Sequence, residues 1–548
     1  MHARPGPCFV VAALALAGCL GAPDLPLEAG AVDAAGVAPV FPTPIRDAKA
    51  VTDLAGGLTV ACVSYSTRAC FDYPIKLEGP GVVDARLRWS EPGARMTLHL
   101  LEGDRIVTDA FIARGAPSTN LSLRWGLDAP GDYTLRVMAS VGYRLEVDFG
   151  PLPRPEGPPN ATAPAGFGPH VILALTDTGV NPYHRAFYRP HLTAHPCTYI
   201  RDFSCDIPAL NLTVGGDNWK EAVAADEAVW KSIARETIYW IPQTVFVAVR
   251  CDRVYESSSA FGSLFGDVCL LDEGDGWWAG HGTGTVSIAV WENPDVLVAF
   301  NEGYDPTVFA ASGIPVDVVS HSWGSGTPMP YPAAARETLP CRAQRHAPVF
   351  VKAAGNDARA VPTDCQTGAS HVIAAGGGFP SPPTHHVLSA NVVDVESYMM
   401  PPWAARDSVA NVHAPGSWGG TSFATPTIAG ALSKVILEVR RASGYDGGLT
   451  ADGYVDPRLG IKAGDLRDAM NRTATYTPKA RHVWIDPANQ IPVNPAAPWL
   501  QWGWGFFDGA VAEDAIAHLL KTRVAPEKPA AAKLHMETIH AARSTLYG

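Results

Sequence analysis

The sequence predicts an α/β protein: a doubly wound parallel sheet preceded by a small antiparallel β-sandwich. Three observations carry this. Residues 51–149 show short alternating runs broken by turn residues, residues 150–168 hold six prolines, and from residue 169 apolar strands alternate with helical patterns. Period-two alternation with regular turns indicates a sandwich; strand–helix alternation indicates a parallel sheet covered on both faces. At 548 residues the chain exceeds one ordinary domain.

Taken in order, residues 1–18 read as an export signal. His2 and Arg4 form a weakly basic start, and Phe9 to Ala17 is an apolar run too short to span a bilayer permanently. Leu16-Ala17-Gly18-Cys19 sets a cysteine directly after small residues, which resembles the lipobox of prokaryotic lipoproteins. In that reading Cys19 is the lipidated first residue; the alternative is a plain secretory signal with an incidental cysteine. Residues 19–50, rich in alanine, proline and glycine, are expected to be a flexible spacer.

The sandwich follows, with runs such as Ala85-Arg86-Leu87-Arg88-Trp89 and Tyr133-Thr134-Leu135-Arg136-Val137. The proline-rich stretch 150–168 reads as a stiff linker. A catalytic domain is expected over 169–520 and a polar tail over 521–548. Residues 186–278 read as a long insertion, in which Trp219, Ala222, Val223, Val229, Trp230 and Ile233 follow helical spacing. Core packing is the expected role of these tryptophans.

Net charge is −12 with no basic run, so nucleic acid is not an expected partner. Ten cysteines are present; removing Cys8 and Cys19 leaves eight, an even number that favours disulfides in an exported chain. Nearest-neighbour pairing gives Cys62–Cys70, Cys197–Cys205, Cys251–Cys269 and Cys341–Cys365, one of 105 connectivities. No cysteine or histidine spacing suggests structural zinc. Asn-x-Ser/Thr sequons occur at Asn120, Asn160, Asn211 and Asn471.

Four motifs carry the chemistry, and a fifth stretch, Ser320 to Gly324, lies beside them. Asp177 follows the apolar strand Val171 to Leu175, at a position from which a carboxylate enters a cleft. Gly280-His281-Gly282-Thr283-Gly284-Thr285 sets a histidine between glycines at a helix start. Ala353-Ala354-Gly355-Asn356 ends another strand, and Ser320-His321-Ser322-Trp323-Gly324 ends the one before it. Gly419-Gly420-Thr421-Ser422-Phe423-Ala424-Thr425-Pro426 opens a long helical run. A serine there has an exposed hydroxyl on a rigid support, beside a helix N-terminus that receives negative charge. Singly, each has an ordinary explanation: Asp177 as a helix cap, Asn356 as a turn residue. Together, each at an element end and in the order Asp, His, Asn, Ser, they point to nucleophilic acyl transfer.

From about Gly168 to Leu520 the chain resembles the subtilisin-like serine proteases, the subtilases. The Gly420-Thr421-Ser422 motif through Ala424 and Pro426 is its most specific match, and Gly503 to Asp508 resembles the end of the family's catalytic domain. The resemblance implies a subtilisin-like fold and peptide-bond hydrolysis. Ser422 would be the nucleophile, His281 the general base and Asp177 its orienting carboxylate. Asn356 would donate to the oxyanion together with the Ser422 N–H. Ser322, Trp323, Gly324, Ala353, Ala354 and Gly355 would flank an extended polypeptide substrate.

No cofactor is required for this chemistry. The family often binds structural calcium; Asp272-Glu273-Gly274-Asp275-Gly276 and Asp446 to Asp456 are acid- and glycine-rich but lack EF-hand spacing, so solvated loops are expected and no site is assigned. Gly284 stands where the family usually has a second histidine. The competing reading is a proteolytically silent or self-processing subtilase scaffold acting as a surface-binding protein. Substrate preference, oligomeric state and host are not legible in the sequence.

Overall fold

The computed structural model describes residues 41–50, 69–103, 105–111, 119–127, 130–151, 166–216, 219–252, 269–271, 280–303, 305, 308–322, 349–355, 372–378, 384–385, 394–398, 420–475, 481–482 and 503–522. The fold is mixed α/β. Two four-stranded antiparallel sheets come first, built from β1 (Ile45–Lys49), β2 (Ala69–Leu77), β3 (Gly81–Trp89), β4 (Met96–Glu102), β5 (Arg105–Phe111), β6 (Asn120–Leu127), β7 (Gly131–Ala139) and β8 (Tyr143–Pro151). One sheet has the order β1-β8-β3-β6, the other β2-β7-β4-β5. Alternation dictates the packing: in β3, Ala85, Leu87 and Trp89 are buried while Arg86 and Arg88 between them are exposed.

The second part is a seven-stranded sheet whose neighbours all run parallel. Its strands are β9 (Ile172–Asp177), β10 (Phe246–Cys251), β11 (Leu297–Glu302), β12 (Val318–His321), β13 (Val349–Ala353), β14 (Val372–Gly378) and β16 (Val395–Tyr398). The short β15 (Thr384–His385) pairs elsewhere, with residues 481–482. The sheet order is β10-β11-β9-β12-β13-β14-β16. Both faces are apolar, as a parallel sheet requires. In β9, Leu173 and Leu175 face one core, and Ile172 and Ala174 face the other.

Residues 219–225 form α1 and 227–230 form α2, both inside the segment read as an insertion. That segment also supplies edge strand β10, so part of it belongs to the main sheet. Trp230 is a core residue, as expected, and donates through Nε1 to Tyr183 Oη at 2.8 Å. Then come α3 (His281–Glu292), α4 (Val308–Ala311), α5 (Thr421–Ser443), α6 (Ala463–Thr473) and α7 (Gly509–Leu519). Helices α3 and α5 meet closely: a Cβ on Gly430 would lie 2.6 Å from the Ala289 carbonyl oxygen. No helix among the described residues is long and apolar enough to cross a membrane.

The sandwich core extends beyond the sandwich. Ile288 on α3 and Phe423 on α5 belong to the same contiguous apolar cluster as Leu87, Leu98, Leu135 and Leu145.

Two of the expected disulfides are present, Cys197–Cys205 and Cys251–Cys269. Cys70 is also disulfide-bonded, while Cys62, Cys341 and Cys365 lie outside the described residues.

Two buried ionisable sites fix how the elements meet. Arg440 in α5 and Asp317 before β12 pair through Nη2 and Oδ1 at 2.6 Å, with side-chain exposures of 0% and 1%. Arg440 also donates to the His170 and Val455 carbonyls, and Asp317 accepts from the Ile172 and Leu449 amides. Every charge is thereby hydrogen-bonded, the condition for burying a pair. Glu292, the last residue of α3, accepts from the Gly509 amide at 2.6 Å and so joins the end of α3 to the start of α7.

Two expected outcomes follow from these groups. Arg440→Met leaves Asp317 buried without its cation and lowers unfolding stability by about 3–5 kcal/mol, measured by urea titration. Burial pushes the Glu292 carboxyl from 4.5 up to about 8, with Asp508 adding to the rise and the Gly509 amide and Lys434 opposing it. A raised folded-state value favours the neutral acid, which accepts the amide through its carbonyl oxygen. The associated stability is complete below pH 4.5 and is lost as pH rises through about 8. Melting temperatures between those limits fall with pH more steeply in the wild type than in Glu292→Gln; parallel curves would refute the assignment.

Candidate active site

The winding of the parallel sheet reverses between β9 and β12: β10 and β11 lie on one side of β9, and all later strands lie on the other. A cleft opens outside the strand C-termini at such a point. Asp177 ends β9, and Ser322 follows the last residue of β12. The topology thus delivers two of the expected site residues to neighbouring strand ends.

Asp177 has no solvent exposure. Its Oδ1 accepts from His281 Nδ1 at 2.7 Å and from the Thr178 amide at 2.9 Å, and its Oδ2 accepts from Thr285 Oγ1 at 3.0 Å. A buried carboxylate without such donors would cost several kcal/mol. An ionised carboxylate can only accept, so the proton between Asp177 and His281 sits on Nδ1. This leaves Nε2 as the basic nitrogen of the imidazole.

His281 is the first residue of α3. The helix descends onto the turn after β9 because position 282 has no side chain: a Cβ there would lie 2.0 Å from the Gly179 carbonyl oxygen and 3.0 Å from Asp177 Cβ. Thr283 Oγ1 accepts from the Asn181 amide at 2.9 Å and fastens the same turn from the helix side. The His281 ring packs against the Phe423 ring, with centroids 5.5 Å apart. That contact sets the imidazole beside the residue following Ser422.

Ser422 is the second residue of α5, and the chain enters the helix through Gly420 at φ 150°, a conformation essentially restricted to glycine. Ser422 thus stands in the first turn of a helix, where the backbone dipole favours negative charge, and the Phe423 amide closes that turn on the Gly420 carbonyl at 3.1 Å. Pro426 has no N–H for the Ser422 carbonyl four residues earlier, so the helix leaves that oxygen open. The Ser322 hydroxyl fills the vacancy, donating to Ser422 O at 2.8 Å. In return, Ser422 Oγ donates to the Ser322 carbonyl at 3.0 Å. Both serines are buried. The Gly355 amide donates to Thr421 Oγ1 at 3.2 Å, which brings the end of the Ala353-Ala354-Gly355 segment beside the serine turn.

The structure therefore joins Asp177 to His281, Ser422 to Ser322, and Gly355 to the serine turn through Thr421, and the ring contact between His281 and Phe423 links the first pair to that turn. Ala353 ends β13, and the Ala354 amide donates to the Ala375 carbonyl at 3.0 Å within the sheet. Trp323, Gly324, Asn356 and Cys19 lie outside the described residues, as does the acidic stretch 272–276. In the second acidic stretch, Asp446 pairs with Arg201, and Asp456 accepts from Ser443 Oγ and the Leu459 amide. Among the described residues, His195, Cys197 and Cys205 have ligand-like spacing, but the two sulfurs are joined to each other.

Sequence reasoning missed the roles of Thr285, Phe423 and Pro426. Thr285 had a readable signal: it stands four residues after His281, on the same helix face. The Pro426 effect was readable too, since its missing amide falls on the carbonyl of Ser422.

Residues 303–490 match the family model described as the Subtilase family. This segment is similar in sequence to the subtilases. It covers Ser322, Gly355 and Ser422, and begins after Asp177 and His281. Subtilases are serine-type peptidases that act on polypeptides, so the match supports a serine-type peptidase in general. The chain is also similar to a solved lanthipeptide protease, at 17% identity and TM-score 0.32, covering 65% of this chain and 90% of that one. It is similar to the prenylagaramide maturation protease PagA at 13% identity and TM-score 0.31, covering 64% and 94%. Fervidolysin from Fervidobacterium pennivorans, a keratinolytic enzyme related to subtilisin, aligns at 16% identity and TM-score 0.29, covering 63% and 43%. No curated protein matches the chain.

The close approach at Gly282 yields an expected outcome. Gly282→Ala forces α3 away from the turn after β9 and pulls the imidazole from Asp177. Hydrolytic activity, if the wild type has it, falls by at least about 100-fold, since small displacements of reacting groups cost that much. Activity within a few-fold of wild type would show that the backbone contact is dispensable.

Proposed function

We propose that this protein is an exported serine endopeptidase that hydrolyses peptide bonds through an acyl-enzyme. The observation that carries the reading is the buried Asp177–His281 pair at 2.7 Å, whose imidazole packs beside the Ser422 turn at the sheet's reversal point. Ser422 Oγ attacks the scissile carbonyl. His281 Nε2 takes the hydroxyl proton and returns it to the leaving amine; Asp177 holds the ring and stabilises the imidazolium. The Ser422 amide and the Asn356 side chain donate to the oxyanion. Water then repeats the sequence on the acyl-enzyme and releases the acid product. Ser322 to Gly324 and Ala353 to Gly355 flank the extended substrate.

In the structure the Ser422 hydroxyl donates to the Ser322 carbonyl, so attack requires it to turn about χ1 toward Nε2. That same bond favours the second reading, a silent scaffold in which the hydroxyl stays where it is. Export and lipid attachment through Cys19 complete the proposal and would hold the enzyme at the outer face of a membrane.

Purified mature protein is expected to hydrolyse casein, and Ser422→Ala to reduce that activity to background. Asp177→Asn is expected to lower kcat by about 10⁴ through the wrong imidazole tautomer. Equal inertness of wild type and Ser422→Ala after correct maturation would favour the scaffold.

A further inference from the structure

We propose that Thr285 is a positioning residue of this site: its hydroxyl holds the Asp177 carboxylate, which in turn fixes the His281 ring. The inference rests on the peptidase reading and adds to it a residue outside the four motif positions.

The argument begins with the two oxygens of Asp177. Oδ1 receives His281 Nδ1 and the Thr178 amide. Among the described residues, Oδ2 receives one donor, Thr285 Oγ1 at 3.0 Å. Thr285 is 1% exposed and Asp177 0%, so water cannot easily replace that donor. Without it, half of a buried carboxylate would lie unsatisfied, a cost of about 1–3 kcal/mol or more for a charged group.

The geometry matters as much as the energy. Positions 281 and 285 are one turn apart on α3, and their side chains lie on one face. A single helix thus holds both carboxylate oxygens, the imidazole on one and the hydroxyl on the other. An aspartate's χ2 is a broad, shallow torsion. Holding Oδ1 alone would let the carboxylate plane swing about Cβ–Cγ and carry the ring's hydrogen-bond direction with it. Holding both oxygens fixes the plane.

One competitor is present. Thr285 Oγ1 also lies 3.0 Å from the Gly282 carbonyl, in the back-bonding geometry common for helical threonines. The hydroxyl has one proton. An ionised acceptor binds it about twice as strongly as a neutral carbonyl, so the proton goes to Asp177. The Gly282 carbonyl lies in the first turn of α3, where the ordinary helical ladder can still satisfy it.

The test compares wild type, Thr285→Val and Thr285→Ser on a chromogenic peptide. Valine keeps the shape and removes the hydroxyl; serine keeps the hydroxyl. Thr285→Val is expected to lower kcat by about 10–100-fold, the effect of one lost bond to a charged group, with KM unchanged. Thr285→Ser is expected to return most of that loss. If Thr285→Val does not fold, Thr285→Ala against Thr285→Ser makes the same comparison. A second arm needs no turnover: in a Ser422→Ala background, the far-downfield proton resonance of His281 Nδ1–H is expected to broaden or vanish when Thr285→Val is added. Wild-type kcat in Thr285→Val, serine no better than valine, or an unchanged proton resonance overturns the proposal. A wild type that cleaves no peptide refutes the peptidase reading instead, and the resonance still decides the role of Thr285.

Discussion

The buried pair of Arg440 and Asp317 is the constraint on which the arrangement of the site depends. Three elements run from this pair to the site. Strand β9 begins at Ile172, whose amide donates to Asp317, and ends at Asp177. Asp317 itself precedes β12, which leads to Ser322. Helix α5 carries Arg440 near its C-terminal end and Ser422 at its start. Asp177, the Ser322 carbonyl that meets the Ser422 hydroxyl, and Ser422 therefore stand at the far ends of three elements clamped at one point. Because strands and helices are stiff along their length, a fixed clamp translates into fixed separations at the other edge of the sheet.

At that other edge the controlling requirement is the satisfaction of one buried negative charge. Asp177 draws in the Thr178 amide, the His281 ring and the Thr285 hydroxyl, and the helix bearing the last two can approach only because Gly282 lacks a side chain. Pro426 acts in the opposite sense, by withholding a donor. It leaves the Ser422 carbonyl to the Ser322 hydroxyl and so binds the serine turn to the end of β12. One site is thus assembled by surplus donors on one side and by a missing donor on the other.

Much of this was legible in the sequence. Alternation marked the sandwich strands from β2 onward, while β1 lies in the stretch read as a flexible spacer because its sandwich partner β8 is distant in sequence; the apolar runs placed β9, β12 and β13 to within a few residues, because strands buried on both faces must be continuously apolar. The segment read as an insertion was harder: β10 lies within it, and its apolar run of Phe246 to Val249 resembles any short core segment. Asp177, His281 and Ser422 were visible as residues at element ends. The helical spacing of Thr285 from His281 and of Pro426 from Ser422 was readable, but their partners, Asp177 Oδ2 and the Ser322 hydroxyl, were not, since these meet them only when β9, α3, β12 and α5 are side by side. Long-range hydrogen bonds leave no periodic trace in a chain. The buried Arg440 had no signal either; an arginine near a helix end reads as a solvated charge until its partner, 123 residues earlier, is known.

The sandwich core does not stop at the sandwich. Ile288 and Phe423 belong to its apolar cluster, and Phe423 also touches the imidazole. Two parts so joined share a dry, apolar boundary, and separating them would wet the floor beneath His281. Heat should therefore melt them in a single cooperative event, with the sandwich's share of the melting enthalpy standing behind the rigidity of the histidine ring.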